Sequence, residues 1–190
     1  MNGEIQVNGY FHTFFRIDTT NGEIISRNDG SGNVKGNIIR YDQGYYLLFD
    51  KHYLNMVDVE GKTLWKRDLP WTASLDNFPL FSGNIIYYRT QESKASIYAI
   101  DQSTGAFLWK TKPNIISNIA ASPNRVYFLT KDGYLYGVRA RDAKVEVYVQ
   151  FSGNEFTNGT VNPIAYDPVT KNVFVLLQDS GQLIAFHEAR

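Results

Sequence analysis

One short pattern recurs along the chain and constrains its fold more than any other feature: an apolar strand ending in Asp, a tight turn containing Gly, and a second strand. Residues 97–112 read IYAIDQSTGAFLWKTK, with Asp101, Gly105 and Trp109 at the key positions. Residues 54–67 read LNMVDVEGKTLWKR, with Asp58, Gly61 and Trp65, and residues 14–27 read FFRIDTTNGEIISR, with Asp18 and Gly22. A fourth copy, residues 135–150, keeps Tyr136-Gly137-Val138 but carries Arg139 where Asp is expected and Ala143 where Gly is expected. A fifth, residues 183–187, keeps only the first strand. The strand-end positions 18, 58, 101, 139 and 187 are 40, 43, 38 and 48 residues apart. A period near forty built from short strands predicts propeller blades and argues against a helical solenoid.

The chemistry of each copy explains its recurrence. The Asp can accept hydrogen bonds from amides just beyond it, and the Gly can take the positive φ that a Cβ penalises, so together they close a hairpin. Upstream of the copies lie strands rich in Tyr, Phe, Val and Ile, at residues 45–49, 85–88, 125–129 and 173–177. Further extended segments precede those, at about 34–39, 74–81, 115–122 and 162–166, which makes four strands per unit. The expected fold class is therefore all-β: a propeller of four-stranded antiparallel blades with about five repeat units. The expected organisation is a single propeller domain over 1–190, with units at 4–29, 34–68, 74–112, 115–151 and 162–190. No stretch holds a 3.6-residue apolar period for long, so helices are not expected.

Composition excludes several functional classes. The 190 residues are 43% hydrophobic and 15% aromatic, enough for a sizeable core. Nineteen Lys and Arg balance nineteen Asp and Glu without a block of one sign, so neither a nucleic-acid backbone nor an anionic membrane is an expected partner. Cysteine is absent, which removes disulfides and thiolate metal sites. No basic start leads into an apolar stretch, and no segment approaches the roughly 18 apolar residues of a membrane span.

The run strand, Asp, x, x, Thr-Gly, x, x, Leu-Trp-Lys, followed by NRVYFLTKDGYLYGV, resembles the PQQ-like, or quinoprotein-type, β-propeller repeat. The resemblance is strongest over residues 97–138 and extends from about Phe14 to His187. It implies that Trp65 and Trp109 pack blade against blade. Ser26 and Val147 replace that tryptophan in the first and fourth copies, so docking there is expected to differ. The resemblance also implies a weak preference for an extracytoplasmic location. It does not carry a cofactor: quinoprotein dehydrogenases need a complete ring, a tryptophan floor, calcium-binding groups and often a cysteine pair. No cofactor is expected. Both ends cut a blade, since the first unit lacks an innermost strand and the last an outermost one. Two arrangements stay open, a piece of a six- to eight-bladed ring, which is preferred, and a small five-unit ring sharing strands between its termini.

The catalytic inventory is empty. His12, His52 and His187 are scattered, with no HExxH and no Glu-x-x-His, so no metal is expected. No Gly-x-Ser-x-Gly elbow occurs. Residues 30–36, GSGNVKG, have the wrong spacing for a phosphate loop, and residues 18–22, DTTNG, lack the bidentate Glu of a calcium loop. Binding is left, on loops between blades and between second and third strands. His52, Trp71, Lys131 and Phe156 are the candidates with reach. The expected function is a non-catalytic scaffold for a protein partner. A carbohydrate- or small-molecule-binding propeller, favoured by the aromatics, and a fragment of a quinoprotein dehydrogenase are the alternatives.

Overall fold

A computed structural model describes residues 4–8, 13–29, 37–41, 45–49, 53–58, 62–69, 79–90, 95–111, 114–151, 163–177 and 181–188. These form eighteen strands and no helix. All pairing is antiparallel between strands adjacent in sequence, as short hairpin connections require. The chain divides into two compact units, Met1–Asp76 and Asn77–Arg190.

The first unit holds two sheets. One comprises β1 (Glu4–Asn8), β2 (Thr13–Asp18) and β3 (Ile24–Asp29). The other comprises β4 (Asn37–Tyr41), β5 (Tyr45–Phe49), β6 (Tyr53–Asp58) and β7 (Thr63–Asp68). The second unit holds three. Its third sheet in chain order is β8 (Leu80–Ser82), β9 (Ile85–Arg89), β10 (Ile97–Asp101) and β11 (Phe107–Lys110). The fourth is β12 (Ala120–Ala121), β13 (Arg125–Leu129), β14 (Tyr134–Arg139) and β15 (Val145–Gln150). The fifth is β16 (Ile164–Asp167), β17 (Asn172–Leu177) and β18 (Gln182–His187).

Successive side chains of a strand point to opposite faces, so a middle strand with both faces covered must be apolar throughout. Strand β13 shows this. Val126 and Phe128 enter a core shared with Tyr87, Ala95, Ile97 and Ala99 of the third sheet. Tyr127 and Leu129 enter a second core, shared with Ile164, Val173, Val175 and Leu177 of the fifth. All four are at most 2% exposed. The outer strands β7 and β15 are exposed at alternate positions.

Strand β12 is shorter than the extended segment read from residues 115–122, and the cause is local. Ile116 donates its amide to the Leu129 carbonyl, but the Leu129 amide goes to Ser117 Oγ at 2.9 Å, so a side chain replaces a rung of the ladder. The next residue, Asn118, turns its side-chain amide to the fifth sheet, donating to the Ile164 carbonyl at 2.8 Å and accepting from the Ile164 amide at 2.7 Å.

The turns that follow the repeat's strand-end position share one geometry. The Gly22 amide donates to the Asp18 carbonyl and the Gly105 amide to the Asp101 carbonyl, both at 2.8 Å, with φ of 75° and 68°. In the worn fourth copy Ala143 does the same to Arg139 at 2.9 Å with φ of 58°. The turn survives without glycine by holding an alanine in the left-handed region, where its Cβ crowds the backbone. Ala143→Gly should therefore raise the free energy of unfolding by about 1 kcal/mol, read as a higher urea midpoint at unchanged slope.

Candidate functional site

Where two sheets of the second unit meet, directed side-chain contacts fasten each seam. Trp109 of β11 is half-buried, its ring 5.7 Å from that of Tyr87. Its indole Nε1 donates to the Ala140 carbonyl, just past β14 in the fourth sheet, at 2.7 Å. Val147 takes the tryptophan's place on β15, opposite Gly137 where β10 has Ala99 opposite Trp109. A Cβ on Gly137 would stand 2.7 Å from Val147 Cβ and 2.8 Å from Tyr127 Cε1, so glycine is the residue that lets these two close.

At that second seam the fastening is ionic. The Tyr127 hydroxyl, Ser122 Oγ and Arg125 Nη1 donate to Glu188 Oε1 at 2.8, 2.7 and 3.0 Å. Glu188 follows His187 as Ala140 follows Arg139, and both return an amide to the preceding hairpin, Glu188 to Lys171 and Ala140 to Asn124. The docking point is thus the same, with the acceptor moved from backbone to carboxylate. Tyr127 stacks on Tyr166 with ring centres 6.5 Å apart. Burial pushes the Glu188 carboxyl up, but donors from Ser122, Tyr127, Arg125 and Tyr166 outweigh it and hold it below its ordinary 4.5. Burial and the neighbouring carboxylate push the Tyr127 phenol well above its usual range.

The first seam opens at one end into a cleft of about 750 Å³, lined by Ser82 to Ile85, Tyr87, Pro123 to Arg125, Arg139 to Arg141 and Glu146. It lies between the β8–β9 and β12–β13 hairpins and the β14–β15 turn. Arg125 Nε donates to Glu146 Oε2 at 2.9 Å, and Arg139 clasps Asp142 through Nε and Nη2 at 2.9 and 2.5 Å. The guanidinium holds the Asp142 carboxyl down at about 2. Arg141, 75% exposed, makes a 3.7 Å ion pair with the same carboxylate.

Of the residues singled out from sequence, Lys131 is exposed in the β13–β14 turn, its amide donating to the Asn114 carbonyl at 2.9 Å. It stands at the opposite end of β13 from the cleft. His52, Trp71 and Phe156 lie outside the described residues, as does Gly61. Asp101 accepts from the amides and hydroxyls of Ser103 and Thr104 at 2.6 to 3.0 Å, Asp18 accepts from Thr20, and Asp58 from the Lys62 amide at 2.8 Å. Those hydroxyls hold the Asp18 and Asp101 carboxyls below the usual range. Trp65 is half-buried opposite Met56. Ser26, half-buried, leaves its hydroxyl without a hydrogen-bond partner among the described residues. Arg125, Glu146 and Glu188 gave no sequence signal, since nothing in the repeat marks them.

The family model described as outer membrane protein assembly factor BamB, a PQQ-like repeat model, matches residues 50–190. The chain belongs to this PQQ-like repeat family. A protein named outer membrane protein assembly factor BamB, from Legionella pneumophila (strain Paris), is 22% identical over 94 residues, covering 45% of this chain and 24% of its own length. The crystal structure of BamB from Moraxella catarrhalis superposes with a TM-score of 0.66 at 12% identity, covering 97% of this chain and 62% of that one. A quinohemoprotein alcohol dehydrogenase from Pseudomonas putida HK5 superposes with a TM-score of 0.60 at 13% identity, covering all of this chain and 41% of that one. The chain thus spans about a quarter of the curated relative and under two thirds of these structures. At such identities the likeness shows the fold, the β-propeller blade.

Within the PQQ-like repeat, then, this chain fastens one seam with the family's tryptophan and the next with a carboxylate. A carboxylate whose folded value is lowered stabilises above its ordinary 4.5 and loses that contribution as pH falls through the depressed value. Glu188→Gln should lower Tm at neutral pH, and its gap from the natural protein should close in melts run progressively below pH 4.5. Gly137→Ala, which drives a methyl group into Val147 and Tyr127, should cost about 1–3 kcal/mol by urea unfolding.

Proposed function

We propose that the chain is a non-catalytic scaffold, a single propeller domain over 1–190 that presents a face to a protein partner in an extracytoplasmic compartment. The observation that carries this reading is the state of the cleft. Its charged groups Arg125, Arg139 and Glu146 are engaged in ion pairs with one another, Asp142 or Glu188, which makes a rigid surface and offers no poised base or nucleophile. The relatives named as outer membrane assembly factors support both the protein partner and the compartment. Among the described residues no helix is long and apolar enough to cross a membrane. His52, Trp71, Lys131 and Phe156 are the proposed contacts.

A second reading, a carbohydrate-binding face, is favoured by Tyr148, 55% exposed, whose ring stacks on Tyr134 at 4.5 Å and meets Tyr136 edge-on at 5.1 Å. Photo-crosslinkers placed at residues 131 and 141 separate the two. The scaffold reading expects a protein adduct from cell-envelope extract at one of them, competed by unlabelled chain. A glycan-array signal abolished by Tyr148→Ala, with no competable adduct at either position, would replace it.

A further inference from the structure

The cleft between the third and fourth sheets holds more than a rigid wall. Asn84 and Asn124, in the two hairpins that flank it, are exposed, and neither side-chain amide makes a hydrogen bond within the described residues. Each offers a donor and an acceptor side by side, the pair that an extended peptide backbone needs. The same protein shows that use at Asn118, whose amide reads both the carbonyl and the amide of Ile164. Beyond the asparagines, Arg141 is tied among the described residues only to Asp142 at 3.7 Å, so most of its fork of donors remains available there. Arg139 lies beside it, held in place by Asp142 and by Glu146 at 3.8 Å. Tyr87 and Ile85 supply an apolar floor.

This combination selects among anions. A phosphate group concentrates about two charges on one centre close to Glu146 and Asp142, and like charges at short range oppose binding. Peptide carboxylates carry one charge each, spaced along the backbone, so they meet less of that repulsion, and each matches the planar guanidinium in two-pronged fashion. We propose that this cleft binds an extended acidic peptide segment, its backbone held by the Asn84 and Asn124 amides and its carboxylate by Arg141 beside Arg139. The proposal rests on the reading of the chain as a protein-binding scaffold and names the chemistry of the partner at one site.

Fluorescence anisotropy of the full chain with a fluorescein-labelled deca-glutamate peptide tests it, with deca-lysine as the reverse-charge control. Arg141→Glu, at an exposed position, should weaken deca-glutamate binding about tenfold or more at unchanged Tm. Asn124→Ala should weaken it about fivefold by removing one hydrogen-bonding group. Lys110→Glu, at an exposed position on β11 away from the β8–β9 hairpin that lines the cleft, should leave it unchanged. Inorganic phosphate at matched charge should displace the peptide poorly. The assignment fails if the natural chain does not bind deca-glutamate, if Arg141→Glu binds it equally, or if phosphate displaces it as well as unlabelled peptide does. A competable adduct from residue 131 that Arg141→Glu leaves intact, together with any of those results, would keep the scaffold and remove the acidic cleft. Deca-glutamate binding lost in Arg141→Glu, with no competable protein adduct anywhere, would keep the cleft and remove the scaffold.

Discussion

Strand β13 sends Val126 and Phe128 one way and Tyr127 and Leu129 the other, and everything else in the second unit follows from having to cover both faces at once. Fully burying each such side chain is worth about 1.5–3 kcal/mol, and no isolated sheet could do it. The third, fourth and fifth sheets are therefore interdependent, and the seams between them carry the specificity. Apolar faces slide easily past one another, because burial is non-directional. A directed bond at the edge of each seam, from Trp109 at one and to Glu188 at the other, sets how the sheets sit.

The two fastenings differ in kind. The indole supplies large area and one neutral hydrogen bond, so that fastening contains no titrating group. At the second, replacing tryptophan by Val147 and facing it with Gly137 lets the Tyr127 ring close on both. The phenol then reaches Glu188, whose side chain is only 10% exposed. Burying a carboxylate is unfavourable unless several donors meet it, and here Ser122, Arg125 and Tyr127 do. The substitution that looked like decay of the repeat is compensated by a network drawn from two sheets.

The repeat made much of this legible. Asp18, Asp58 and Asp101 end strands because their carboxylates satisfy turn amides, a local event that neighbouring residues announce. Aromatic and β-branched content likewise located the middle strands. The seams were not legible. Tyr127 and Glu188 are 61 residues apart, and no local rule joins them. Ala143 conceals its role too, since it stands where the repeat has Gly, yet its amide bonds the Arg139 carbonyl and its φ is positive. The inner strand β12 was overestimated because Ser117 and Asn118 look extended yet divert their hydrogen bonds to side chains.

The cleft escaped notice for a related reason. A periodic pattern locates strand ends but not which ends converge. One residue did carry a signal. Arg139 stands where the repeat has Asp, and a turn that needs an acceptor instead received a cation. The chain restores the acceptor three residues later with Asp142, which takes the Lys144 amide at 3.1 Å and both prongs of Arg139. That exchange keeps the turn while placing guanidinium groups at the rim of a cleft. Where a repeat breaks its own rule and the break is repaired nearby, the altered residue is free to serve something other than the fold. Asp101, whose turn is satisfied without help, does not line this cleft.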